Sequence, residues 1–126
     1  MRAVRSFRDL VVWQRAVELT VAIYQVEKEF PNEERFGLTS QIRRASVSVA
    51  SNIAEGHGRN SIGEFRQFLG VARGSNFEVQ TQLILSRKLE LAGEKSLGIC
   101  ESLSDEIERM LVALSASLDK AAKSSL

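Results

Sequence analysis

The 126-residue chain contains one cysteine, one histidine, one proline, one tryptophan and one tyrosine. Each scarcity excludes something. A lone cysteine, Cys100, cannot close a disulfide within the chain. It falls among apolar positions of a helical pattern and reads as a small core residue. His57 cannot build a metal site alone, and no cysteine or carboxylate cluster stands near it at ligand spacing, so no metal and no cofactor are expected. With Pro31 the only proline, long stretches are free of helix breakers. No uninterrupted apolar run approaches the roughly 18–20 residues of a membrane span, so no membrane association is expected. The start, MRAVRSFRDL, has no apolar core like that of a secretory signal, and a cytoplasmic, reduced protein is expected. Neither a G-x-S-x-G elbow nor a P-loop or dinucleotide fingerprint occurs. Glu55 and Glu64 flank a glycine turn, where pairing and capping are their obvious duties. The expectation is a protein that is not an enzyme.

What is present is helical periodicity. One domain is expected over 1–126, with a basic arm at 1–8 (Arg2, Arg5, Arg8, tacked down by Phe7) and a short tail at 122–126. A first helix spans about 9–29, with Asp9 at its start. From Leu10 to Val26, 12 of 17 positions are apolar, far more than one buried face of a surface helix requires. No helix of a four-helix bundle is central. The excess therefore points to a second, subunit-facing stripe, for which Val12, Leu19 and Ile23 are the candidates.

Phe30-Pro31 ends this helix, because the residue before a proline disfavours the α region. The second helix, about 38–55, is built from small residues and invites close neighbours. Its core face is Ile42, Ala45, Val49 and Ile53; Arg44, Ser48, Ser51, Asn52 and Glu55 form a polar face beside it. A capping box, Ser61-x-x-Glu64, opens the third helix, which runs to about 91. Phe65, Phe68, Leu69, Ala72, Val79 and Leu83 form its core stripe. Gly70 and Gly74 lie in its middle, and each costs about 1 kcal/mol against alanine. Close approach of the second helix is the expected compensation. The fourth helix, about 94–123, is amphipathic: Cys100, Leu103, Ile107, Met110, Leu111, Leu114 and Leu118 face inward, and Glu101, Asp105, Glu106 and Glu108 form an acidic outer face. Short connections between helices predict an all-α, antiparallel up-down-up-down four-helix bundle.

Charge is unevenly placed. Residues 1–88 carry a net +4 and residues 89–126 a net −3. Between Arg35 and Arg73 there are six arginines and two acids. Guanidinium forks suit phosphate oxygens, so Arg43, Arg44, Arg59, Arg66 and Arg73 are candidates for holding a nucleic-acid backbone. Salt bridges between helices or subunits are the competing reading. Neighbouring residues on a helix point about 100° apart, so Arg43 and Arg44 cannot serve one surface equally. One faces outward while the other pairs internally, with Glu55 or a neighbouring helix as partner. The aromatics fall mostly at core positions, which argues against a stacking platform for single strands.

Four segments taken in order resemble a known family: SFRDL-x-x-W-Q-x-A (Ser6 to Ala16), FP-x-E-x-RFGL-x-x-Q-x-RRA (Phe30 to Ala45), S-x-x-x-NIAEG-x-x-R (Ser48 to Arg59) and FL-x-x-ARGS-x-x-E (Phe68 to Glu78). The chain is similar to the 23S rRNA intervening-sequence proteins. The resemblance covers residues 6 to about 91 and implies a four-helix bundle assembled as a homopentamer. A related branch, the accessory proteins of diversity-generating retroelements, binds nucleic acid and a reverse transcriptase. The resemblance brings no catalytic residue. Two functions follow as expectations: binding of RNA or DNA, structured RNA first, through arginines displayed around an oligomer; or a scaffold that docks a protein partner such as a polymerase.

Overall fold

The computed structural model describes residues 4–124. Four α-helices carry the chain: α1, Val11–Val26; α2, Leu38–His57; α3, Ile62–Lys88; and α4, Glu94–Ser124. There is no strand among the described residues. Phe7–Asp9, Glu27–Glu29 and Asn32–Glu34 are single turns of 3-10 helix. Arg2, in the expected basic arm, and the last two residues of the expected tail lie outside the described residues.

Asp9 does not cap α1. It closes a capping box with Ser6 around the first 3-10 turn, and Leu10 precedes α1 with no side-chain cap. Phe7 does tack the arm down, edge-on to Trp13 with ring centroids 5.1 Å apart. The last turn of the first helix tightens to 3-10 before Phe30-Pro31, so α1 proper is shorter than its apolar pattern. Gly37 leads into α2, where the side chain of Glu34 accepts from the Leu38 N–H in place of a cap. Ser61 Oγ accepts from the Glu64 N–H at 3.1 Å and starts α3 as expected.

The bundle is a closed square in which α1 packs on α2, α2 on α3, α3 on α4 and α4 on α1. Cross-helix partners show each neighbouring pair to be antiparallel. Moving up α3 from Arg66 through Arg73 and Asn76 to Arg87, the partners on α4 descend from Asp119 through Glu108 and Ser104 to Glu101. On α2, Arg43 meets Glu27 and Ser46 meets Thr20. Ser48 meets Ser75, and Gly56 meets Phe65 and Phe68. On α1, Arg15 meets Glu106, while Glu29 just beyond its end accepts from the Gly93 N–H at the start of α4.

Hydrophobic burial along these four seams holds the bundle together. The expected core faces are where periodicity places them: Ile42, Ala45, Val49 and Ile53 of α2, Leu69, Ala72, Val79 and Leu83 of α3, and Cys100, Ile107 and Leu111 of α4 are buried. Phe65, Leu103, Met110, Leu114 and Leu118 pack at its edge.

Three expectations are overturned. Val12, Leu19 and Ile23 lie inside the chain's own core, so they have no surface to offer a second subunit. The outward apolar residues of α1 are Val11, Val21 and Tyr24. Gly70 and Gly74 do not receive α2: no atom stands within 4 Å of a Cβ built on either. The close helix–helix approach is at Gly56, where a Cβ would lie 2.6 Å from Phe68 Cβ and 3.3 Å from the Phe65 carbonyl oxygen. The acids of α4 are not all a solvated outer face. Glu106 binds Arg15 of α1, and Glu101 and Glu108 bind Arg87 and Arg73 of α3. They flank the apolar stripe and bridge to both neighbours.

A reciprocal polar contact between helices lies within the core. Asn76 and Ser104 are both fully buried. Asn76 Nδ2 donates to the Ser104 carbonyl (3.0 Å), and Ser104 Oγ donates to Asn76 Oδ1 (2.8 Å). This reciprocal pair fixes the α3–α4 register, since a slip strands buried donors and acceptors.

Candidate nucleic-acid interface

The five candidate arginines separate into two groups. Four have carboxylate partners. Arg43 donates through Nε and Nη2 to both oxygens of Glu27, whose side chain is only 4% exposed. This hydrogen bonding raises the Arg43 pKa above its ordinary value. Arg59 pairs with Glu55 one turn earlier, Arg66 with Asp119, and Arg73 with Glu108. Glu55 is thus taken by Arg59 and not by Arg43 or Arg44. Arg59 and Arg73 also lie over the Phe68 and Phe77 rings, at 4.7 and 5.3 Å.

Arg44 is different. It is exposed, and among the described residues no hydrogen bond, ion pair or ring contact involves its side chain. The 100° offset between neighbouring helical positions separates it from Arg43, which turns toward α1 and Glu27.

Arg44 borders two adjoining clefts. The first, about 550 Å³, lies along α1 and the start of α2. Arg35, Arg43 and Arg44 converge on it, together with Tyr24, Phe36 and Val47. Arg35 has no carboxylate partner among the described residues and rests over Phe36 at 5.5 Å. Phe36 is 90% exposed and Tyr24 is also exposed. The aromatics, expected mostly at core positions, include these two exposed rings on one cleft. Phe36 sits in the turn between Pro31 and α2, which no helical stripe draws inward, and Tyr24 sits on the outer face of α1. Two unpaired guanidinium groups beside two exposed rings can hold phosphate and stack on planar groups.

The second cleft, about 400 Å³, lies between α2 and α3 and shares Arg44 and Ser48 with the first. Ser48 Oγ and Ser75 Oγ are hydrogen-bonded at 2.8 Å, and Asn52 Nδ2 donates to Ser48 Oγ at 2.9 Å. The polar face of α2 is therefore tied across to α3 at Ser48 and Ser75, while Arg44, Ser51 and Glu55 remain exposed. His57 packs edge-on against Phe65 at the end of α2 and has no acid beside it. Among the described residues no group of His, Cys, Asp and Glu can hold a metal ion, and no helix is long and apolar enough to cross a membrane.

The architecture defines an all-α four-helix bundle protein. A family model described as the 23S rRNA-intervening sequence protein matches residues 8–113, and the chain belongs to that family. Among solved structures it is similar to a protein of unknown function from the S23 ribosomal protein family of Bacteroides thetaiotaomicron VPI-5482. That similarity has 26% identity and a TM-score of 0.76, covering 82% of this chain and 97% of that one. No curated protein matches.

Proposed function

We propose that the protein is a non-enzymatic, cytoplasmic homo-oligomer that binds structured RNA through the face centred on Arg44. The observation that carries this reading is the coincidence at one cleft of two arginines without carboxylate partners, Arg35 and Arg44, and two exposed rings, Tyr24 and Phe36. Such a set suits an RNA whose backbone runs past the guanidinium groups and whose unpaired bases stack on the rings. The 23S rRNA named in the family's description favours RNA over DNA.

Oligomerisation has its own support on the outer line of α3. Gly70, Gly74, Phe77, Thr81 and Ile84 recur at helical spacing and are all exposed. The two glycines weaken the helix, and nothing in their own chain approaches them. A second copy packed on this line accounts for that cost, and repeating a chain of net charge +1 around a ring multiplies the Arg44 face. Five copies, as the family resemblance implies, give a particle of about 70 kDa from the 14.0 kDa chain.

Light scattering coupled to size exclusion, with and without a hairpin RNA at low and high salt, tests the proposal. The expected result is a multimer that co-elutes with RNA at low salt and releases it at high salt. A multimer that ignores RNA at low salt overturns RNA binding and leaves a protein-docking scaffold. A 14.0 kDa monomer overturns the oligomer.

A further inference from the structure

Arg44 stands on the ridge between the two clefts, and the second of them places an acid across from it. Glu78 of α3 lines that cleft with Arg44, is exposed, and has no ion pair among the described residues. The antiparallel register sets the two charges nearly level. From the hydrogen-bonded Ser48 and Ser75, three residues back along α2 is Ala45 and three forward along α3 is Glu78. Arg44 is the next residue along α2, a further rise of about 1.5 Å. Packed helices stand about 8–10 Å apart, a gap that an arginine and a glutamate extended toward each other span.

The other four candidate arginines are each matched to an acid. Arg44 is not, and among the described residues Glu78 is the only carboxylate lining either cleft. Nothing confines the Arg44 side chain to one flank of its ridge. Ser48, one turn later, is small, belongs to both clefts, and has its hydroxyl engaged by Ser75 and Asn52. The guanidinium therefore has two attractive positions, over the first cleft beside a bound phosphate or over the second beside a carboxylate. The structure has it paired on neither side.

We propose that Arg44 is a two-position side chain with Glu78 as its internal competitor: pairing with Glu78 draws the guanidinium over the second cleft and off the RNA face. An exposed ion pair is weak and screened by salt, so the competition is shallow. RNA phosphate displaces Glu78, and the apparent affinity is lowered by the fraction of time that Arg44 spends paired. The pairing itself needs no RNA; its cost to affinity rests on the RNA reading above.

Two measurements on the full-length protein test it. The first is hairpin RNA anisotropy at low salt for the parent, Glu78→Gln, Arg44→Gln and the double variant. The second is the Arg44 Nε–H resonance without RNA, assigned by its loss in Arg44→Gln. Both positions are exposed, so the fold stays intact. Glu78→Gln is expected to tighten RNA binding about two- to fivefold, to lose that gain in the Arg44→Gln background, and to move the Arg44 resonance. An equal gain in both backgrounds makes Glu78 no more than background charge and overturns the competition, as does no gain or a loss in the parent background. A resonance that Glu78→Gln leaves unmoved overturns the pairing. A parent that binds no hairpin overturns the RNA reading instead, and a resonance moved by Glu78→Gln then keeps the pairing.

Discussion

Glu27 takes both donors of the Arg43 fork at the corner where α1 gives way to its final 3-10 turn. The carboxylate is nearly inaccessible while the guanidinium above it is half exposed and lies 4.9 Å from the centre of the Tyr24 ring. That pairing neutralises one of two adjacent arginines and leaves the other, Arg44, uncompensated. Glu27→Gln keeps the volume and removes the charge. Its expected effects are a melting temperature lowered by several degrees and, because Arg43 is released beside the first cleft, a higher RNA affinity at low salt. Thermal melts and anisotropy check both.

Gly56 is where α2 and α3 come closest. Adding a methyl there drives it against Phe68 Cβ and the Phe65 carbonyl. Gly56→Ala should cost about 1–3 kcal/mol in denaturant unfolding, as overpacking does, despite alanine's better helix propensity.

Gly70 and Gly74 behave oppositely. Nothing in the chain opposes a side chain at either position. Gly70→Glu and Gly74→Glu should keep the helical circular dichroism yet reduce the scattering mass to 14.0 kDa. An unchanged multimer from both variants removes the outer line of α3 from the interface.

Glu90 ends α3 with φ 56°, the conformation usually given to glycine. The Leu91 N–H donates to the Ser86 carbonyl at 2.9 Å across this turn. Glu90→Gly relieves a left-handed strain of about 1–2 kcal/mol, less glycine's greater unfolded-chain freedom. The expected net gain is about 0.5–1 kcal/mol in denaturant unfolding.

Glu29 links pH to stability. Hydrogen bonds from the Ser96 hydroxyl and then from the Gly93 N–H hold its carboxyl below the ordinary value of 4.5. The folded chain therefore binds this proton less readily than the unfolded one. The stabilisation is complete above the unfolded value and is lost as pH falls through the folded one. Glu29→Gln should be less stable than the parent at pH 7, with the gap closing in acid melts.

Periodicity made most of the fold legible. Four apolar repeats at helical spacing, one proline, two glycine turns and one capping box place every helix within a few residues. The misplacements have physical causes. The apolar surplus of the first helix suggests a subunit face, but Val12, Leu19 and Ile23 lie on the inward stripe, and Val11, Val21 and Tyr24 are its exposed large apolar residues. Gly70 and Gly56 are chemically alike, and only the packing of Phe68 shows which one a neighbour presses. Asn76 and Ser104 were readable from register, because each replaces an apolar residue on an inward stripe. Glu27 was not, since nothing local marks the acid that receives an arginine from the next helix. The separation of Arg43 from Arg44 was legible from helical geometry alone; which of them is free required the partner.

Hairpin RNA binding measured from low to high salt for the parent, Arg44→Glu and Arg66→Glu tests the central claim most directly. The account predicts that Arg44→Glu weakens binding about tenfold or more and flattens the salt slope by about one. Arg66, already paired with Asp119, should matter little. Equal losses from the two substitutions, or a parent protein that binds no RNA at low salt, contradict it.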